Sequence, residues 1–208
     1  MSTKDVATLH KVTAFVTRGD DLLLFRHPHA GIQLPAGTVE EGETPEEAVL
    51  REVAEETGLV DVSIAELLLV MEIDLAPDQA VLLESGYLRS TPEDTATLID
   101  ERFTRGLIFK VLGVQGKYTR VLYEEYDFRH ADPTLLHQQE GWVLSRRLAS
   151  RLERHLFRLT CHTETPAYWV VDSDRGHRFE LFWVPLSSDP GLVVGQDEWL
   201  RLVKDKLC

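Results

Sequence analysis

Along HKVTAFVTRGDDLLLF, residues 10–25, the spacing of apolar positions changes twice. Val12, Ala14 and Val16 recur at every second residue, the period of a strand. Arg18-Gly19-Asp20-Asp21 reads as a turn, and the unbroken run Leu22 to Phe25 as a short buried strand. RHPHAGIQLPAG reads as a loop, because its glycines and prolines punctuate regular structure. A helical pattern then starts sharply. Thr44 suits the N-cap, Pro45 the first helical position, and Glu47 completes a capping box. Gly58 stands where a left-handed C-terminal residue is expected. The pattern predicts a helix over Pro45 to Thr57, then a strand-rich stretch, DVSIAELLLVMEID.

The character changes at about residue 77. APDQAVLLESGYLRSTPEDTATLIDE reads as irregular or weakly helical. GLIFKVLGVQGKYTRVLYEEYDF reads as two strands joined into a hairpin through GVQGK, and GWVLSRRL as a further strand. LFRLTCHTETPAYWVVDSDRGHRFELFWVPL predicts strands with a turn at Asp172 to Gly176. The closing GQDEWLRLVKDKL is an amphipathic helix with Trp199, Leu200, Val203 and Leu207 on one face.

The chain has 208 residues, 43% hydrophobic and 27% charged, enough for a proper core. Its formal net charge of -13 opposes double-stranded nucleic acid as a partner, since a grip on phosphates needs a basic surface. It also opposes a role in removing RNA caps. Two cysteines, Cys161 and Cys208, make no disulfide framework, and no Cys/His cluster suggests zinc. The opening residues lack the apolar stretch of a signal peptide, and no run approaches membrane-spanning length. A reduced, cytoplasmic protein without a membrane partner is the expectation.

The predicted helix carries the chemistry. Glu52, Glu55 and Glu56 fall at i, i+3 and i+4 and share a face, with Ala48 one turn earlier on the same side. Val49 and Val53 point elsewhere, into a core. Carboxylates at this spacing repel, and near a helix C-terminus they also oppose the helix dipole. A cation relieves both penalties. With only oxygen donors nearby, a hard ion is favoured: Mg²⁺, with Mn²⁺ as a substitute. The plainer reading is a solvated acidic face. Against it stand the single Arg51 within the run and the preceding Leu34-Pro35-Ala36-Gly37, a tight loop able to offer backbone carbonyls.

Gly37, Glu43 and Arg51-Glu52-Val53-Ala54-Glu55-Glu56-Thr57-Gly58-Leu59 keep the order and spacing of the Nudix box without a departure. The chain thus resembles the Nudix hydrolases over about 10–76 and 153–208. The resemblance implies an α/β/α sandwich with a mixed sheet. It implies hydrolysis of a diphosphate linkage in a nucleoside diphosphate derivative or nucleotide, by water attack at phosphorus. By motif position, Glu52, Glu55 and Glu56 would hold the metal and Ala36 would add its backbone carbonyl. Arg51 would steer the carboxylates with Glu43 as its ion-pair partner, and Gly37 would free the backbone. Glu52 or Glu56 is the expected general base.

Outside the box, Arg26 at the end of the second strand is a candidate phosphate clamp. His27 and His29 read as exposed loop histidines. Glu180 is a candidate further metal ligand. Trp183 and Trp199 read as core, and Tyr168 and Trp169 as strand packing that could instead stack a base. Residues 77–152 form a β-rich insertion into the domain made by 1–76 and 153–208, and their GVQGK hairpin and GWV strand resemble a small SH3-like barrel. Such an insertion could cap the substrate cleft or pair two copies into a homodimer. The alternative function is a nucleotide-binding regulatory module of the same fold without turnover. An isoprenoid diphosphate isomerase is disfavoured, because Cys161 lies outside any such motif.

Overall fold

The computed structural model describes residues 7–128, 132–172, 176–193 and 195–207. The turn expected at Asp172 to Gly176 falls largely outside them, and so does Cys208. In chain order the elements begin with β1 (Thr8–Arg18), β2 (Asp21–His27), β3 (Gly31–Gln33), β4 (Ala36–Thr38), α1 (Pro45–Thr57) and β5 (Val62–Asp74). Next come β6 (Gln79–Leu82), β7 (Gly86–Arg89), β8 (Leu98–Phe103), β9 (Ile108–Gln115), β10 (Tyr118–Asp127), β11 (Thr134–Leu144) and β12 (Leu148–Ala149). The chain closes with β13 (Arg151–Cys161), β14 (Tyr168–Asp172), β15 (Arg178–Pro185) and α2 (Gln196–Val203). It divides into two compact units.

One unit comprises Lys11–Met71, Phe128–Asp132 and Arg154–Cys208. Its sheet runs β14-β15-β2-β1-β13-β5, with β3 added to β2 and β4 to β1. Strand alternation sends side chains to two cores. Val12, Ala14, Val16, Leu23 and Phe25 pack with Ala48, Val49 and Val53 of α1. Phe15, Leu22 and Leu24 pack with Leu200 and Val203 of α2 and with Leu207 beyond it. A sheet covered on both faces requires apolar residues on both, which is why Leu22 to Phe25 is an unbroken apolar run. The layering is the expected α/β/α sandwich. Ala48 belongs to the core and not to the carboxylate face: it is fully buried.

Helix α1 keeps its predicted bounds. Thr44 Oγ1 accepts the Glu47 N–H, the Glu47 carboxylate accepts the Thr44 N–H, and Pro45 occupies the first turn. Such a cap stabilises a helix by about 1 kcal/mol. Gly58 takes φ 75° and donates its N–H to Ala54 O, a conformation that favours glycine. At the same end, Trp169 Nε1 donates to the Thr57 carbonyl at 2.9 Å, satisfying an acceptor the helix leaves open.

The segment 28–37 departs from the expected loop. Gly31–Gln33 pairs antiparallel with β2, and Ala36–Thr38 with β1. Both strands are three residues long, and Leu34-Pro35 between them interrupts the pattern that would have signalled them.

The other unit comprises Met1–His10, Glu72–Asp127 and Pro133–Glu153. Its sheet is antiparallel in the order β12-β6-β9-β10-β11-β7-β8. The expected hairpin is β9–β10, closed at Gly116-Lys117, where Gly116 takes φ 59°. The irregular or weakly helical reading of 76–101 is corrected: that segment supplies β6, β7 and most of β8. In β8 the burial alternates along LIDERF, but its inward residues are Ile99, Glu101 and Phe103, so composition hides the period. Leu82, Leu88, Phe103, Phe109, Val121 and Val143 form this unit's main core. The Phe103 ring lies edge-on to Phe109 and to Tyr123, each at 5.4 Å.

Candidate active site

The site is built on α1 and on β4, which crosses in front of it. Arg51 is its hub. Its Nε and Nη2 donate to the two oxygens of Glu43 at 2.9 and 3.0 Å, a bidentate pair. Nη2 also donates to the Thr38 carbonyl at 3.1 Å. Nη1 lies 2.9 Å from Glu52 Oε1 and donates to Glu55 Oε2 at 3.1 Å. One guanidinium therefore touches three carboxylates and ties the helix to the strand.

The strand returns the contact through its backbone. The Ala36 N–H donates to Glu56 Oε2 at 2.9 Å, and the Thr38 N–H donates to Glu52 Oε1 at 3.2 Å. Between them sits Gly37. A Cβ there would lie 1.8 Å from Glu52 Oε1 and 1.9 Å from its Cδ. Only glycine lets the carboxylate lie against the strand, so Gly37 is required by close approach.

The charges are unequal. Hydrogen bonds from Arg51 hold the Glu43 carboxyl below its ordinary value, and the same bonds raise Arg51. Glu52 shifts the other way. Burial pushes its carboxyl up, the neighbouring Glu55 adds to the rise, and Arg51 offsets only part of it. The charged form of this largely buried carboxylate is thus disfavoured, chiefly by burial. The donor set suits a hard divalent ion: Glu52, Glu55 and Glu56 offer oxygen only, and Glu52 is stabilised by any added cation.

The other candidates have contacts of their own. Arg26 faces Glu180 across β2 and β15, with Nε 3.7 Å from Oε2. The pair is half-exposed, so it contributes little to stability. His27 and His29 are half-buried, not exposed. His27 lies 4.8 Å from His177 and 5.4 Å from Phe179, ring centre to ring centre. Its Nδ1 accepts the N–H groups of His29 and Ala30, both at 3.1 Å. Burial, then His177 and His29, lower its pKa to about 4. Trp183 and Trp199 pack as expected: Arg18 stacks on the first and Arg154 on the second, each at 4.3 Å. Trp169 packs against α1, while Tyr168 is 53% exposed.

The sequence did not disclose the two backbone N–H donors of β4, the Trp169 cap or the place of His177. A buried tryptophan needs an acceptor for its N–H, and that requirement was the one available signal.

Residues 8–96 match the family model described as NUDIX domain. That stretch of the chain is thus similar to a NUDIX domain. No curated protein matches the sequence. Among solved structures, a UDP-X diphosphatase is similar at 14% identity and TM-score 0.46, over 97% of this chain and 63% of that one. A mutant of the Bacillus subtilis pyrophosphohydrolase BsRppH is similar at 16% identity and TM-score 0.38, over all of this chain and 85% of that one. The chain spans less than two thirds of the length of the UDP-X diphosphatase. Among the described residues, no helix is long and apolar enough to cross a membrane.

Proposed function

We propose that this chain is a metal-dependent Nudix pyrophosphohydrolase that cleaves a diphosphate linkage in a nucleoside diphosphate derivative or nucleotide. One observation carries the reading: the Glu52 carboxylate lies against Gly37, and it shares the single Arg51 guanidinium with Glu43 and Glu55. A fold that keeps an undercompensated carboxylate beside Glu55 and Glu56 is arranged for a cation that bridges protein and phosphate.

Glu52, Glu55 and Glu56 would hold Mg²⁺, or Mn²⁺ in its place, with the Ala36 carbonyl as a further ligand. Such an ion neutralises phosphate oxygens and acidifies a bound water. The chain's own part is positioning. Arg51 and Glu43 fix the helix against β4. The Ala36 and Thr38 N–H groups orient one oxygen each of Glu56 and Glu52. Glu56, or Glu52, takes the proton of the attacking water as general base. Arg26 is assigned to a substrate phosphate; its loose pairing with Glu180 leaves the guanidinium available.

Residues 1–76 and 153–208 are assigned to the Nudix domain and 77–152 to an insertion within it. A cytoplasmic setting, with its reduced thiols, fits the free and buried Cys161.

The test is a phosphate-release screen with Mg²⁺, with Mn²⁺ and with chelator. The panel holds nucleoside di- and triphosphates, nucleotide sugars, ADP-ribose, dinucleoside polyphosphates and dinucleotide cofactors. Where the primary product is a monoester, a phosphatase is added. Ion-dependent release from one class supports the assignment. No release from any class by folded, ion-loaded protein overturns it in favour of a binding module.

A further inference from the structure

We propose that the unit built from the seven-stranded sheet carries a second ligand site, a groove that takes a nucleotide without cleaving it. The groove encloses about 380 Å³, within the range of small-molecule sites. Tyr87, Leu98 and Trp142 supply apolar wall, and Arg89, Arg146 and Arg147 supply charge. Tyr87 and Leu98 are 42% and 50% exposed, so flat apolar surface is presented to solvent.

Trp142 of β11 stands directly opposite Arg89 of β7, and directly opposed residues project to the same face of a sheet. Both line the groove, and an aromatic ring with a guanidinium suits a nucleotide, whose base stacks on the one while its phosphate pairs with the other.

The arginines are held in ways that preserve their charge. Arg89 Nη1 donates to the Asp94 carbonyl at 2.7 Å, and more weakly to the carbonyls of Glu93 and Ala96. These acceptors are neutral. The Asp94 carboxylate is engaged by Lys117 and Tyr118 instead. Arg147 Nη2 donates to the carbonyls of Glu84 and Ser85 at 2.7 and 3.0 Å, and its Nε lies 3.3 Å from the Glu84 carboxylate. Among the described residues of the lining, Glu84 is the one acid against three arginines. Arg146 is exposed on the rim. In a chain of net charge -13 this is a local reversal of sign.

The position of Arg147 is built in. A Cβ at Gly86 would lie 2.6 Å from its Nη2, so a glycine makes the room. The ligand class follows from the three features together. An aromatic ring meets Trp142 and Tyr87, and an attached phosphate meets Arg146 and the fixed guanidinium of Arg89. Nothing in the described lining resembles a hard-ion cradle, so the groove binds without hydrolysing.

The test is calorimetric titration of the full chain with AMP, adenosine and inorganic phosphate. Chelator is present, so that no divalent ion can hold phosphate at the box. The expected result is saturable AMP binding at one site, with adenosine and phosphate each weaker by about tenfold or more, because each lacks half of the contacts. Arg146→Glu and Trp142→Leu should each weaken AMP about tenfold, and Glu56→Gln should leave it unchanged. Arg146 lies on an exposed rim, so that variant tests the site even if Trp142→Leu fails to fold. No binding at millimolar AMP overturns the proposal. So does binding that Arg146→Glu leaves intact.

Discussion

The carboxylate of Glu52 lies against the backbone of Gly37, so close that a single added carbon would fall 1.8 Å from its oxygen. The clash partner is the far end of a flexible side chain. Gly37→Ala should therefore move Glu52 and leave the fold in place. Its Thr38 hydrogen bond and its contact with Arg51 would go with it. The expected outcome is a thermal midpoint within a few degrees of wild type. Mn²⁺ affinity, measured by calorimetry, should fall about tenfold or more.

Glu52→Gln separates the ion from the fold in another way. Burial disfavours the charged form of Glu52, so a neutral isostere removes an electrostatic cost. The Thr38 N–H keeps its acceptor. Without divalent ion the variant should melt no lower than wild type, while the rise in melting temperature that Mg²⁺ gives wild type should vanish. Melting curves with and without Mg²⁺ read both effects, since stabilisation by a ligand follows its affinity for the folded state.

Arg51→Ala removes the hub. Glu43, with its side chain 15% exposed, then loses a bidentate partner, and Glu52 loses the guanidinium that offsets part of its charge. The variant should lose about 2–4 kcal/mol in urea unfolding, the penalty of leaving charges buried and unpaired. A smaller loss in the variant that also carries Glu43→Gln would show that the pair, and not the arginine stem, is responsible.

His27 makes stability depend on pH. Its folded pKa is lowered to about 4, against an ordinary value near 6.5. Between these values the unfolded chain binds a proton that the folded chain refuses. The contribution is therefore complete above about pH 6.5 and is lost as pH falls toward 4. Below that, Nδ1 no longer accepts the His29 and Ala30 N–H groups. His27→Asn keeps an acceptor for a turn of this kind and does not titrate. Its melting temperature should fall less between pH 7 and pH 4.5 than that of wild type.

Much of the candidate site was legible in the sequence, for identifiable reasons. Helix capping is local, so Thr44, Pro45, Glu47 and Gly58 fix both ends of α1 within a few residues of chain. The i, i+3, i+4 spacing of Glu52, Glu55 and Glu56 is likewise local. The burial of β2 could be read from the unbroken apolar run Leu22 to Phe25. What escaped depends on distant partners. Strands β3 and β4 are too short to show a period and exist because β1 and β2 offer edges. The half-burial of His27 depends on His177 and Phe179, far along the chain. Strands β6 to β8 were obscured because charged and small residues occupy positions that a longer strand would give to apolar ones.

The most direct measurement compares turnover by wild type and by Glu56→Gln on the preferred substrate at saturating Mg²⁺. Circular dichroism melts run alongside. The amide that replaces the Glu56 carboxylate is not ionised, but its oxygen can still accept the Ala36 N–H, so the fold has no reason to change. The expected result is a loss of roughly a thousandfold in rate, the scale of a missing base and ion ligand, at an unchanged melting temperature. Equal rates in the two proteins would contradict the assignment of the box carboxylates to the chemistry.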